Sequence, residues 1–73
     1  MAHIYLAGAD QNNFEAEVDK FQLACMIVDS TEYFYEYKVF GSREAIEKFL
    51  RESYFSNQDE DFIKGSYLWI EGE

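Results

Sequence analysis

Short apolar segments separated by polar breaks run along the whole chain. Residues 3–7 are followed by the turn-forming residues 8–13, which predicts a first strand and a loop. In residues 14–19 apolar and acidic side chains alternate, a period typical of a strand with one buried face. Residues 21–28 are the longest apolar stretch and predict a buried strand, in which Cys25 behaves as a small hydrophobic residue.

Residues 14–28 also fit a second interpretation. Apolar side chains recur there at helical spacing, and Asn12 with Glu15 matches a capping box, which would give alternating strands and helices. The strand interpretation is favoured, because Leu23, Met26 and Ile27 would spread apolar groups around the whole circumference of a helix.

The second half of the chain gives clearer signals. Residues 29–31 have turn chemistry and residues 32–40 are rich in aromatic and β-branched side chains, so a hairpin is expected to lead into the strongest strand. Residues 56–61 are polar and acidic and predict a loop. The final apolar segment, residues 65–70, predicts a last strand.

One helix is expected over residues 43–54, with Ser42 as its N-cap. Its buried stripe would consist of Ile46, Phe49, Leu50 and Ser53 or Tyr54. Two acid-to-base pairs with favourable spacing would lie on its exposed side, Glu44 with Lys48 and Glu47 with Arg51. The sequence therefore predicts an α+β fold, a small antiparallel sheet of four to five strands with one α-helix packed on one face.

Length and charge narrow the class of protein. Seventy-three residues suffice for one modest core, so residues 1–73 are expected to form a single acidic domain. The formal net charge is −9, yet 48% of the residues are hydrophobic and 19% aromatic, which is enough apolar surface to fold. Such a surface cannot replace the counterions of a phosphate backbone, and anionic membranes repel it. Direct binding to nucleic acid or to a membrane is therefore not expected.

Catalytic chemistry is sparse. A single cysteine cannot form an intramolecular disulfide, and the apolar neighbours of Cys25 would raise its pKa, the reverse of what a nucleophile needs. The only histidine, His3, has no identifiable orienting partner, and four scattered glycines do not form a phosphate cradle. We therefore expect that the protein is not an enzyme and that it binds no metal ion or cofactor.

The sequence also bears on the location of the protein. Because residues 1–8 lack a signal-peptide pattern and no segment is long and apolar enough to span a membrane, a cytoplasmic location is expected.

The acids are arranged in groups, which makes them candidates for partner binding. On a strand, Glu15, Glu17 and Asp19 would form a row of carboxylates spaced about 6.7 Å apart, comparable to a phosphate track. The hairpin and the predicted loop would extend this surface with Glu32, Glu36, Asp59, Glu60 and Asp61. An ordinary explanation also exists for these acids, because charged side chains on an exposed strand prevent its pairing with the edge of another sheet. For a single segment that explanation is preferred.

Tyrosines provide a second candidate surface. Tyr33, Tyr35, Tyr37 and Val39 would share one side of the predicted strand, and Glu32, Phe34, Glu36, Lys38 and Phe40 the other. Such a strand usually packs one face on a helix, but tyrosine is also common at protein interfaces. Tyr35 and Tyr37 are therefore candidate partner-binding residues.

The chain resembles, at the level of a class, the small acidic inhibitor proteins encoded by bacteriophages, including anti-CRISPR and anti-restriction proteins that mimic DNA. The resemblance covers size, charge and the strand-helix order of residues 35–50 followed by an acidic segment. It implies a non-enzymatic inhibitor in the host cytoplasm that occupies the basic nucleic-acid-binding surface of a target such as a nuclease or CRISPR effector complex. The alternative is an acidic adaptor or antitoxin-like subunit that binds through the tyrosine-rich face. The oligomeric state is left open, a homodimer included.

Overall fold

The computed structural model describes residues 1–72, which form four strands and three α-helices. In chain order the elements are β1 (Ala2–Gly8), α1 (Gln11–Lys20), β2 (Ala24–Ser30), β3 (Tyr35–Gly41), α2 (Arg43–Phe49), α3 (Glu60–Ser66) and β4 (Glu71–Gly72). A π-helical segment, Leu50–Tyr54, continues α2, and one turn of 3-10 helix, Tyr67–Trp69, continues α3. None of these helices combines the length and the apolar character that crossing a membrane requires.

The strands form one antiparallel sheet in the order β2-β3-β1-β4. The predicted α+β class and antiparallel sheet are confirmed, with four strands where four to five were expected. Three α-helices replace the single helix expected. The element order is β-α-β-β-α-α-β, which is the split βαβ arrangement with α3 added between α2 and β4. Because this topology serves many unrelated functions, it places residues in space without indicating an activity.

The helices cover one face of the sheet and leave the other open. Ile4 and Leu6 of β1 lie opposite Val39 and Tyr37 of β3, and all four are buried. The helical layer adds further buried side chains to the same core, namely Phe14, Val18, Ile46, Phe49 and Leu50. Intervening strand residues such as Tyr5 and Glu36 lie on the open face. The predicted alternation along β3 is therefore confirmed.

Residues 14–19 form part of α1, so the expected strand is wrong. The Asp10 carboxylate accepts a hydrogen bond from the Asn13 N–H and caps the helix, and Phe14 and Val18 face the core one turn apart. The rival interpretation, a helix throughout residues 14–28, is correct only as far as Lys20. There the chain leaves the helix, and Gln22 adopts a positive φ of 61°.

The hairpin is confirmed, but its turn lies further along the chain than expected. β2 extends to Ser30, and the reversal is made by residues 31–34, where the Thr31 N–H donates to the Phe34 carbonyl over 2.8 Å. The Thr31 hydroxyl also accepts from the Phe34 N–H. β2 was expected to be buried, yet it lies at the edge of the sheet and six of its seven residues are exposed.

The helix starting after Ser42 is confirmed, including its cap. The Ser42 hydroxyl accepts from the Ala45 N–H, and Ile46, Phe49 and Leu50 are buried. The last predicted turns are π-helical, because the Phe55 N–H donates to the Leu50 carbonyl five residues earlier.

The C-terminal part differs most from expectation. The predicted loop 56–61 ends with Asp59, whose carboxylate caps α3 by accepting from the Phe62 N–H. The expected strand over residues 65–70 is replaced by the end of α3 and the 3-10 turn. Only β4 is a strand here, and it pairs with the start of β1 through Ala2 and His3.

Candidate protein-binding surface

The acids without a basic partner are concentrated in two segments of the chain. Residues 4–19 and 24–37 contain seven Asp and Glu and no Lys or Arg. The register places Gly8 opposite Tyr35 and Tyr35 opposite Ser30, so the end of β1, the start of α1 and the β2–β3 turn share one end of the sheet. Asp10 and Glu32 lie at this end, whereas Glu15 and Asp19 follow α1 away from it. We call the exposed carboxylates of the two segments the acidic edge: Asp10, Glu15, Asp19, Asp29, Glu32 and Glu36.

Two members of the acidic edge face each other directly. Asp29 of β2 is the register partner of Glu36 of β3, beyond a bulge at Val28. Both side chains are exposed, and neither forms an ion pair within residues 1–72. Like charges placed opposite each other on neighbouring strands destabilise a sheet. The fold therefore carries an electrostatic cost at this position.

Glu15 and Asp19 continue the acidic edge along α1. They are four residues apart, which places them on the same side of the helix. α1 packs against β2. Burial and, secondarily, the negative charge of Glu15 raise the pKa of the Cys25 thiol in β2. The expected strand row of Glu15, Glu17 and Asp19 does not exist, because Glu17 points to a different side of the helix.

Glu17 is held against the π-helical segment. Its carboxylate accepts from the Lys20 ammonium at 2.8 Å and from the Ser53 hydroxyl at 3.0 Å. These two hydrogen bonds lower the pKa of Glu17. This carboxylate is thus already occupied by groups of the same chain.

Glu60 is likewise occupied. Both of its oxygens accept from the Arg51 guanidinium, at 2.7 and 2.8 Å, and this bidentate contact lowers the pKa of Glu60. Arg51 also donates to the Tyr67 hydroxyl. The expected helix pair Glu47 with Arg51 is replaced by this contact, and Glu47 instead binds Arg43 at 3.2 Å.

Four of the six Lys and Arg residues neutralise acids outside the acidic edge. Within residues 1–72, Lys20, Arg43, Arg51 and Lys64 all form ion pairs, with Glu17, Glu47 or Glu60. Lys38 lies on the open face of the sheet, opposite Tyr5 and Met26, and is half-buried. The net negative charge is consequently concentrated rather than spread evenly.

The remaining acids named from the sequence have different surroundings. Asp59 serves as the cap of α3, and Asp61 is exposed in the first turn of that helix. Of the acids proposed for partner binding, Glu15, Asp19, Glu32 and Glu36 lie on the acidic edge. Asp10 and Asp29 were not foreseen, because their positions depend on the capping of α1 and on the bulged register of β2.

The tyrosines proposed for partner binding face the helical layer. Tyr37 is fully buried and stacks on Phe14, and Tyr35 is half-buried beside it. Burial and, secondarily, the charge of Glu15 raise the pKa of the Tyr37 phenol. Tyr37 therefore offers no surface to a partner in this fold, although Tyr33 in the turn is 80% exposed.

The clefts do not resemble a built active site. A groove of about 520 Å³ between α1 and α2 is lined by residues that include Lys20, Lys48, Glu44 and Glu52, so it carries charges of both signs. Within residues 1–72 no three His, Cys, Asp or Glu side chains are grouped so that they could hold a metal ion. The acidic edge is the strongest functional candidate in this part of the chain.

Comparisons with protein-family models, with curated proteins and with solved structures found no match to this chain.

Proposed function

We propose that this protein is a non-enzymatic inhibitor that binds the basic nucleic-acid-binding surface of a target protein, such as a nuclease or CRISPR effector complex, and excludes the nucleic acid. The observation that carries the proposal is the acidic edge itself, above all the pairing of Asp29 with Glu36. Two like charges at this position destabilise the fold. Residues that lower stability in this way are expected at functional sites, where another requirement determines the residue type.

The chemistry of the acidic edge suits a target rich in arginine and lysine. Its six carboxylates are exposed and have no Lys or Arg partner within residues 1–72. Asp10, Glu15 and Asp29 each use one oxygen in a hydrogen bond within the chain, so each carboxylate keeps at least one oxygen for a partner. Carboxylate contacts to arginine are charge-assisted and often bidentate. The concentrated field also accelerates encounter with a basic surface at low ionic strength. Binding and fast association would both follow from the same arrangement.

The adaptor alternative, which uses the tyrosine-rich face, has less support from the fold. It requires Tyr35 and Tyr37 at the surface, whereas Tyr37 is fully buried and both side chains face the helical layer.

The test begins with capture of the target. The tagged protein is used to isolate partners from the source cells, and mass spectrometry identifies them. Each partner that binds nucleic acid is then bound to a labelled cognate nucleic acid, and the acidic protein is added in excess at low and moderate salt. Release of the nucleic acid at both salt concentrations supports the proposal. If the captured partners keep their nucleic acid under both conditions, the proposal is lost.

A further inference from the structure

β2 is an open edge of the sheet. The strand order β2-β3-β1-β4 leaves the outer side of β2 without a pairing strand among the described residues. Alternate backbone N–H and C=O groups of such a strand point away from the sheet and can pair with another chain. The regularly paired part, residues 24–27, precedes the bulge at Val28 and is long enough for a short added strand.

The side chains of this edge are unusually apolar for an exposed strand. Met26 is 53% exposed, Ile27 40% and Val28 45%. Natural edge strands are commonly protected by lysine or proline. β2 contains neither, and its protective features, the bulge at Val28 and the charge of Asp29, both lie at its far end. The edge therefore has both the backbone groups and the apolar side chains that strand addition uses.

The charges around the edge decide what can bind there. Glu15 and Asp19 lie on α1, which packs against β2. On the open side of the sheet, Asp29 and Glu36 outnumber the single base Lys38, the register partner of Met26. In a symmetric pairing of two β2 strands, the α1 helices of the two copies would come together with their acids facing each other. A second copy of this chain is therefore repelled, and a basic segment is attracted.

We propose that β2 accepts an extended basic segment of the target protein as an additional strand of the sheet. This inference rests on the proposed function and specifies how the target is held: main-chain hydrogen bonds along residues 24–27, with Lys or Arg side chains reaching the acids on either side. Apolar side chains of the added strand pack on Met26 or Ile27, according to the face they occupy.

The experiment uses the full chain, labelled with ¹⁵N, and a capped seven-residue peptide of alternating lysine and valine. We expect the peptide to bind and to slow hydrogen exchange of alternate amides of β2. Two further peptides carry N-methyl groups, one on every lysine and the other on every valine. Since only one set of N–H groups can face β2, one of these peptides should bind about tenfold more weakly or worse, and the other should bind like the parent.

Charge dependence is tested with matched variants. Glu15→Gln with Asp19→Asn should weaken peptide binding, whereas Glu44→Gln with Glu52→Gln, which changes the charge equally on the α2 side, should have little effect. A glutamate-valine peptide should not bind.

Three outcomes overturn the strand-addition proposal: no binding of the lysine-valine peptide, binding without protection of β2, or equal binding of both N-methylated peptides. None of these decides the proposed function, which is tested separately by release of nucleic acid from the captured target. Conversely, strand addition of the peptide combined with no release would retain the edge site and reject the inhibitor function.

Discussion

Tyr37 stacks on Phe14 with ring centroids 4.1 Å apart, and its fully buried hydroxyl has no hydrogen-bond partner within residues 1–72. The stacking stabilises the contact between β3 and α1, whereas an unpaired buried hydroxyl costs free energy. The ring thus belongs to the core, and its polar atom is a local defect in it.

Removing that hydroxyl should stabilise the protein. We expect Tyr37→Phe to raise the free energy of unfolding by about 1 kcal/mol, and the Tm by about 4–8 °C. Thermal and urea unfolding followed by circular dichroism measure both quantities. Tyr54→Phe is the matched control, because the Tyr54 hydroxyl donates to the Ala7 carbonyl and its loss should destabilise. A lower Tm for Tyr37→Phe would show that the hydroxyl has a favourable partner.

The pairing of Asp29 with Glu36 predicts a second stabilising change. Glu36→Gln removes a like-charge contact across the two strands, so the Tm should rise, by an amount corresponding to roughly 0.5 kcal/mol. The gain should shrink as salt is added, since exposed charges are screened. Unfolding of both proteins at low and high salt measures this difference. Glu44→Gln changes the net charge equally, and an equal gain in that control would contradict a local effect.

The contact of Glu60 with Arg51 predicts a specific pH dependence. The pKa of Glu60 is lowered in the folded protein, so the contact contributes stability above the ordinary carboxyl pKa of 4.5 and loses it as the pH falls through the folded value. The Tm difference between the wild type and Glu60→Gln should therefore be present at neutral pH and disappear in acid below that range. A difference that stays constant from neutral pH into acid would refute this role for the ion pair.

The position of Glu15 beside β2 can be tested through Cys25. Burial and the charge of Glu15 raise the pKa of this thiol, so little of the reactive thiolate is present at neutral pH. We expect Glu15→Gln to lower the pKa of Cys25 and to speed its alkylation by iodoacetamide, measured as a rate against pH. Glu44→Gln should leave the profile unchanged. An identical profile for the wild type and Glu15→Gln would place Glu15 away from β2.

Local signals in the sequence were sufficient for part of the fold. Ser42 followed by an apolar stripe at helical spacing identified the helix that begins with α2, and the alternation along residues 35–40 identified the faces of β3. Both patterns depend on neighbours close in sequence. The α+β class and the antiparallel sheet followed from them.

Other elements depended on competition between two valid patterns. Phe14, Ala16 and Val18 satisfy a strand period, whereas Phe14 and Val18 also satisfy a helical one. The structure forms the helix, which Asp10 caps and whose residues Phe14 and Val18 reach the core from successive turns. At residues 65–70, apolar content suggested a strand, but α3 already spans the chain to Ser66 and leaves only β4 for the sheet.

The negative charge of the candidate site could be predicted from the sequence, but the positions of its residues in the fold could be predicted only in part. Net charge and the absence of bases from residues 4–19 and 24–37 can be read from the sequence. The loss of Glu17 and Glu60 to ion pairs, and the approach of Asp29 to Glu36, depend on tertiary contacts and on a bulge. No local pattern contains that information.

The most direct test of the central claim compares two charge reversals of equal size in the nucleic-acid release assay. The first changes Glu15, Glu32 and Glu36 to Lys, and the second changes Glu44, Glu52 and Asp61 to Lys. The concentration needed for half-release from the captured target should rise steeply for the first variant and little for the second. Equal effects of the two variants would show that net charge alone acts, and would contradict a binding surface at the acidic edge.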